Sequence, residues 1–322
     1  MHGRATPVRT TQDRTQNPTS KVATRGPSPG SGRAGHRRSA VTTPSLTAVR
    51  PGTTRTVATV ASAILAALML VESALGLAVD GLYPEAPWAV AALRGNDLVS
   101  LVLAPVLATA IVLGRRDDRW ALVWLSGLLY GTYNYAYYAF GTAFNDVFLL
   151  HVASLTSAVV GLVGLAASFD VHAVGRRVGP VAGRRVIAGF MVVVGGALVV
   201  AWGGFSLRFA LIGALPDDVM PPSAVHLVYA LDLSLLAPAF IAGGILLWRR
   251  TDWGHVLGVA VNLFGAAYLV VLELVGGFEA QAGIPGTTWA SPPALAGAAL
   301  CALAAAHLLR SVGRASSSPS TS

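Results

Sequence analysis

The chain of 322 residues is 54% hydrophobic and only 12% charged, and its mean hydropathy of +0.61 excludes an ordinary soluble domain. The net charge is +8, yet the arginines lie in the N-terminal segment and in alternate loops, which is typical of membrane orientation and not of nucleic-acid binding. Cys301 is the sole cysteine, which excludes an intramolecular disulfide. These features predict an all-α, polytopic transmembrane bundle.

The first segment, residues 1–55, is rich in Thr, Pro, Ser, Gly and Arg and poor in large apolar residues. Such a composition cannot bury enough surface to fold, so it predicts a disordered basic tail. The tail could be held at anionic lipid, be a solvated extension, or reflect a start codon placed too far upstream. The lipid bilayer is the partner we expect; no nucleic acid is expected, and protein partners cannot be assigned from the sequence.

Eight apolar stretches follow, each near the roughly 20 residues that a helix needs to cross a bilayer. They are residues 57–79, 88–114, 119–141, 147–168, 186–207, 223–248, 255–277 and 293–310. We therefore expect a transmembrane bundle of eight helices. Its predicted parts are a first four-helix unit at 56–170, a basic cytoplasmic loop at 171–185, a second four-helix unit at 186–312, and a disordered tail at 313–322.

The basic residues predict the orientation of the bundle. Twenty-one of the 23 lysines and arginines lie in the two tails or in the loops that follow the second, fourth and sixth spans. The opposite side keeps only Arg94 and Arg208. All seven tryptophans lie near span ends, where indole prefers the headgroup boundary. The pattern predicts a plasma-membrane protein with both termini in the cytoplasm.

Two stretches match in order and spacing, which predicts an internal duplication. The matching residues are Asp97, Leu103-Ala104-Pro105 and Arg115-Arg116 in the first copy, and Asp232, Leu236-Ala237-Pro238 and Arg249-Arg250 in the second. Topology alone explains the arginines, but not the shared aspartate or the Leu-Ala-Pro. Four-helix units repeat with the same orientation, so we expect parallel repeats, with a proline kink in each copy. Asp97 would then be intramembrane, where Arg94, one turn away, could form an ion pair with it.

Polar side chains within the spans are the candidates for a functional site. A charge in a bilayer is costly, so Glu72, Asp232 and Glu273 are expected to face the bundle interior. Other candidate ligand or proton-binding groups lie in the outer halves of the spans or on the Glu273 face of its helix: Asp97, Asn134, His151, His226 and Asn262. The inner halves are nearly all Leu, Val, Ala and Gly, so the pattern predicts a polar site open to the extracytoplasmic side.

Each candidate also has a structural interpretation. Glu72 and Glu273 could be protonated groups that only join helices, and the two histidines could be interfacial residues in contact with water. The tyrosine cluster of Tyr130, Tyr133 and Tyr137 could be packing plus an interface belt. No catalytic motif, nucleotide-binding loop or metal-ligand spacing stands out, so no metal is predicted and no cofactor can be assigned.

The segment from Tyr133 to Val152, with its Tyr-Asn-Tyr-Ala-Tyr-Tyr run and Asn145-Asp146, resembles a family of bacterial polytopic membrane proteins. The segment with Tyr229, Asp232, Pro238 and Trp253-Gly254 is similar to the same family. The resemblance covers residues 57–310 and implies no activity.

The leading functional expectation is an ion-binding or small-molecule-binding protein, transporter-like, in which Glu72, Asp232 and Glu273 exchange protons or bind a cation. One alternative is a sensing or assembly subunit with no chemistry of its own. A second alternative is a membrane enzyme that uses His151 or His226, with a nearby carboxylate, on a lipid-linked substrate. The sequence favours a protein that is not an enzyme.

Overall fold

The computed structural model describes residues 52–214 and 222–313, and this part of the chain contains helices and no strands. The helices are α1 (Thr53–Ala78), α2 (Pro87–Leu113), α3 (Asp118–Gly141), α4 (Phe148–Ser168), α5 (Val171–Arg177), α6 (Arg184–Ile212), α7 (Pro222–Leu231), α8 (Ala237–Trp248), α9 (Asp252–Gln281) and α10 (Pro292–Ser311). A π-helical turn, Asp232–Leu236, joins α7 to α8 without a break. The predicted tails lie almost wholly outside the described residues.

Within the described ranges, seven helices are long and apolar enough to cross a membrane. Counting α7, the π-turn and α8 as one, every predicted span is helical, and its ends lie within five residues of those expected. The eighth predicted span, α3, is not among these seven, because Asn134 and the tyrosines from Tyr130 to Tyr138 lower its hydropathy. The described part of the chain is therefore all-helical and suited to a membrane, and a crossing by α3 stays a prediction.

Contacts between loops gather the arginine-rich helix ends on one side, which we call the basic end. The predicted loop at 171–185 contains the short helix α5, and its Arg177 pairs with Asp118 at the start of α3. Arg119 donates two hydrogen bonds to the carbonyl of Val312, at 2.6 and 3.0 Å. The short helix α5, the start of α3 and the end of α10 are thereby tied together.

Close helix approach holds the first four helices together. A Cβ added at Gly164 of α4 would lie 3.2 Å from backbone atoms of α1, so a side chain here would push the two helices apart by a few tenths of an ångström. The buried indole of Trp124 in α3 donates to Ser62 of α1 at 2.8 Å, which satisfies its one polar atom. The polar groups of this unit are consequently enclosed.

The two halves of the bundle meet where α2 and α3 pack against α9. A Cβ at Gly95 of α2 would lie only 2.7 Å from the backbone nitrogen of Val275, so glycine brings these two helices into direct contact. By contrast α6 is mostly exposed, with three buried residues along 29. The exposed valines and leucines of α6 suit a lipid-facing helix.

The π-helical turn is the main irregularity in the spans. It begins at Asp232 and ends just before Ala237-Pro238, where proline cannot donate a backbone hydrogen bond. A π-turn widens the helix by one residue and often marks a functional site. Pro105, at the matching place in α2, lies inside a continuous α-helix instead. The backbone beside Asp232 is therefore π-helical, whereas the backbone around Pro105 is α-helical, and a kink at either proline stays a prediction.

Candidate functional site

A cavity of about 440 Å³ lies between the two halves of the bundle, bounded by α2, α3, α6, α7 and α9. Its position is nearer the end opposite the basic loops, because it contacts the first three turns of α2 and the first two turns of α7. The wall is mainly apolar and rich in aromatic rings. The aromatic residues that line it are Trp88, Tyr130, Tyr133, Tyr137, Trp202, Phe205, Tyr229 and Tyr268.

Asp232 lies directly behind this wall and is fully buried. Its carboxylate accepts hydrogen bonds from Tyr133 Oη at 2.6 Å, from Trp202 Nε1 at 2.8 Å and from Tyr268 Oη at 3.3 Å. The donors come from α3, α6 and α9, so one carboxylate joins three helices. A buried carboxylate needs such donors to offset its removal from water. All three donors line the cavity.

The rings around Asp232 form a fixed aromatic wall, which we call the aromatic cavity wall. Trp202 stacks on Tyr229 with ring centroids 4.4 Å apart and an interplanar angle of 18°. Tyr133 meets Tyr268 edge to face at 5.2 Å. Because Tyr133 and Tyr268 both donate their phenolic hydrogen to the carboxylate, their oxygens offer only lone pairs to a ligand in the cavity. Ring faces, lone pairs and a carboxylate together favour a positively charged ligand.

A second polar network lies inside the first four helices. Glu72 of α1 contacts His151 Nδ1 of α4 at 2.5 Å and accepts a hydrogen bond from Ser154. All three residues are almost fully buried, and none of them lines the aromatic cavity. His151 Nε2 is buried with no hydrogen-bond partner in the described part of the chain. The predicted pairing of a histidine with a carboxylate is therefore present, but packing encloses it.

Asp97 belongs to this enclosed network. Its two oxygens accept from Tyr83 at 2.9 Å and from Tyr138 at 2.8 Å, and the Tyr138 ring lies 5.0 Å from that of His151. Burial and the neighbouring Asp97 raise the pKa of the Tyr83 hydroxyl, so this loop residue stays a donor.

The predicted ion pair between Arg94 and Asp97 is wrong. Arg94 instead pairs with Asp80 in the loop after α1, at 2.7 Å, where both side chains reach the exposed end of the bundle. The physical reason is that burying a charged guanidinium beside Asp97 costs more free energy than burying the neutral phenols that donate hydrogen bonds to it. In the described part of the chain, the hydrogen bonds that Asp97 accepts therefore come from tyrosines.

Of the remaining predicted site residues, Asn134 lines the aromatic cavity and the others lie outside its lining. Asn134 lines the cavity and donates to Ser100 at 3.2 Å. Asn262 donates to the carbonyl of Gly258 in its own helix, at 2.7 Å. Glu273 accepts from the backbone N–H of Ser291 at 3.0 Å, at the start of α10, where a negative charge suits the helix dipole. His226 is exposed on α7, beside a smaller cavity of about 140 Å³.

The carboxylates therefore do not share one pocket. Among the described residues, Glu72 and Asp97 belong to the enclosed network, Asp232 to the aromatic cavity wall, and Glu273 to the start of α10. No group of three metal-ligating side chains is found in this part of the chain.

Sequence reasoning missed the role of Trp202 and Tyr268. The sequence places Trp202 at the membrane interface because it lies near a span end, and it gives no signal that marks Tyr268. Only the positions of α6 and α9 around the π-turn reveal that both side chains reach Asp232. No protein family, curated protein or solved structure matches the chain, so the geometry of the site carries the functional conclusion. The resemblance to a bacterial membrane family stays a prediction.

Proposed function

We propose that this protein is an eight-span, plasma-membrane protein that binds a small organic cation in the aromatic cavity, as a transporter would. The observation that carries the proposal is the arrangement at Asp232, whose three hydrogen-bond donors all line one cavity. An ammonium group in the cavity would meet ring faces, phenolic lone pairs and a carboxylate one layer behind them.

The size and lining of the cavity support a ligand and not an ion alone. Its volume of about 440 Å³ falls within the range of roughly 300–1,000 Å³ common for small-molecule sites. A bare metal ion would need several oxygen ligands, whereas this wall is mostly carbon. A primary amine with an attached ring would use both the aromatic faces and the phenolic oxygens.

The internal duplication supports a site at the junction of two repeats. Asp97 accepts from Tyr138 of α3, and Asp232 accepts from Tyr268 of α9, the helix at the matching place in the second unit. In duplicated transporters the substrate site lies at the interface between repeats. The first copy is enclosed and the second opens to the cavity, which suggests that one copy became structural.

The alternatives are less well supported. An enzyme would need its acid–base pair within reach of substrate, but Glu72 and His151 are enclosed. A purely structural role does not explain why three side chains of one cavity wall donate hydrogen bonds to the same carboxylate. Cation binding accounts for both the cavity and its donors.

A matched pair of probes tests the proposal. Purified full-length protein in phosphatidylcholine nanodiscs is titrated by calorimetry with 2-phenylethylammonium and with 2-phenylethanol, and empty nanodiscs serve as the blank. Both probes have the same ring and a hydrogen-bond donor, but only the first is charged. We expect saturable binding of the amine and none, or far weaker binding, of the alcohol. Equal affinities, or no binding of either above the blank, would contradict a cation site.

Transport is tested in proteoliposomes loaded with radiolabelled 2-phenylethylammonium. Counterflow that the wild-type protein supports and the Asp232→Asn variant does not would support a transporter. Saturable binding without counterflow would favour a sensing protein with the same ligand.

The orientation has its own test. Arginine asymmetry favours a cytoplasmic location for the basic end. Cys301 is buried, so a cysteine introduced at Gly179 or Gly283 reports its own side. In intact cells, an impermeant maleimide should label Gly283→Cys and not Gly179→Cys; the opposite labelling would refute the orientation.

A further inference from the structure

A separate, polar cavity of about 160 Å³ lies at the basic end of the bundle, where α5 meets the starts of α6 and α9 and the end of α8. It shares no lining residue with the aromatic cavity. The polar side chains that line it are those of Arg184, Arg250, Thr251, Asp252 and His255. We call it the basic cavity.

Two buried polar atoms at the basic cavity have no partner in the described part of the chain. His255 is only 4% exposed, and its Nε2 makes no hydrogen bond. The Nε of Arg184 is likewise buried and without a hydrogen bond. Buried polar groups in folded proteins are nearly always satisfied by protein, water or ligand. Two orphaned atoms on one cavity wall therefore indicate that something polar binds there.

The charge of the basic cavity specifies an anion. Arg184 and Arg250 lie close enough to repel each other, and neither forms an ion pair within the described ranges. The carboxylate that lines the cavity, Asp252, is engaged by His172 Nδ1 at 2.6 Å. Helices α6 and α9 both begin here, so the positive ends of two long helices face the same space.

The histidine adds a requirement for a hydroxyl group. His255 lies beside the backbone of Leu308, which favours the tautomer with the ring proton on Nδ1. The other nitrogen, Nε2, then offers a lone pair to an O–H of the ligand. We propose that the basic cavity binds a phosphate group with an attached or neighbouring hydroxyl, as in hydrogenphosphate or a phosphatidylglycerol headgroup.

The backbone of Arg250 makes a sharp test possible. Among the described residues, Arg250 is the one non-glycine residue in the left-handed region, with φ of 61°. Glycine adopts this conformation freely, so Arg250→Gly removes the guanidinium while relaxing the turn. The neighbouring Arg249 does not line the cavity, so Arg249→Ala removes an equal charge from the same turn.

The experiment titrates inorganic phosphate by calorimetry into full-length protein in phosphatidylcholine nanodiscs. We expect saturable binding that Arg250→Gly weakens about tenfold or more, that Arg184→Gln also weakens, and that Arg249→Ala leaves within twofold. The same titration in nanodiscs containing phosphatidylglycerol identifies the source. Phosphate binding that phosphatidylglycerol abolishes assigns the site to the lipid headgroup, and unchanged binding assigns it to free phosphate.

Two results would overturn the proposal. One is an equal loss of phosphate affinity in Arg249→Ala and Arg250→Gly, which would mean general attraction to a basic surface. The other is an absence of phosphate binding in phosphatidylcholine together with no enrichment of phosphatidylglycerol over phosphatidylcholine around the protein by mass spectrometry. A thermal unfolding curve for each variant confirms that the fold is retained.

Discussion

Replacing Asp232 with asparagine should weaken the binding of an organic cation by a predictable amount. Asp232 Oδ1 lies 2.6 Å from Tyr133 Oη, which faces the cavity. An ammonium that donates to this phenol at roughly 2.9 Å is at most about 5.5 Å from the carboxylate. At an effective dielectric constant of about 20, two unit charges at about 5.5 Å attract by about 3 kcal/mol. The loss corresponds to roughly 100-fold in affinity.

The assay is the calorimetric titration of 2-phenylethylammonium into protein in phosphatidylcholine nanodiscs. Asp97→Asn is the matched control, because it removes a buried carboxylate whose hydrogen-bond donors, Tyr83 and Tyr138, do not line the cavity. We expect Asp232→Asn to lose roughly 100-fold in affinity for the amine and little for 2-phenylethanol. An unchanged affinity for the amine in a folded Asp232→Asn protein would refute the electrostatic reasoning. A similar loss in Asp97→Asn would also refute it.

Three further predictions concern the enclosed network and are checked by thermal unfolding in detergent. Gly76→Ala would place a Cβ on the Asp97 carboxylate, so we expect a loss of about 1–3 kcal/mol from overpacking. Glu72→Ala leaves the buried imidazole of His151 without its partner and should cost about 3 kcal/mol. Tyr83→Phe removes a charge-assisted hydrogen bond and should cost about 2 kcal/mol. Because burial raises the pKa of Tyr83, its phenol stays protonated at pH 9, and the loss should still be present at that pH.

Each of these variants has a control. Gly189→Ala in α6 adds a Cβ into open space, so it should be neutral or slightly stabilising. Glu72→Gln keeps the shape and an acceptor oxygen, so it should cost less than Glu72→Ala. If Gly76→Ala were as stable as Gly189→Ala, the close approach of α1 to Asp97 would be wrong. A loss in Tyr83→Phe that disappeared at pH 9 would mean that the phenol ionises there.

The helical architecture is predictable from the sequence because hydropathy and length alone mark a helix that crosses a bilayer. Helices α2 and α10 begin at Pro87 and Pro292, each within one residue of the expected start. The short helix α5 was missed, since a seven-residue helix in an arginine-rich loop has no periodic signal. Arginine asymmetry likewise marked the basic end, which the contacts of Arg177 and Arg119 draw together.

The sequence predicts which carboxylates are buried in the bundle, but it does not predict which side chains form hydrogen bonds with them. Burial of Glu72, Asp97 and Asp232 follows from their placement in apolar helices. The separation of Asp232 from the other two does not follow, because helix rotation and packing decide which polar groups meet. The π-turn at Asp232 is also invisible in the sequence, although Pro238 gave a reason to expect an irregular backbone nearby.

The location of a bound cation is the most direct test of the aromatic cavity as a binding site. Crystals grown with 2-(4-bromophenyl)ethylammonium would place its bromine by anomalous scattering. We expect the bromine peak within the cavity bounded by Tyr133, Trp202 and Tyr268, with the ammonium beside the phenolic oxygens. A bromine peak found only on the lipid-facing surface, or in the basic cavity, would contradict a cation site at Asp232.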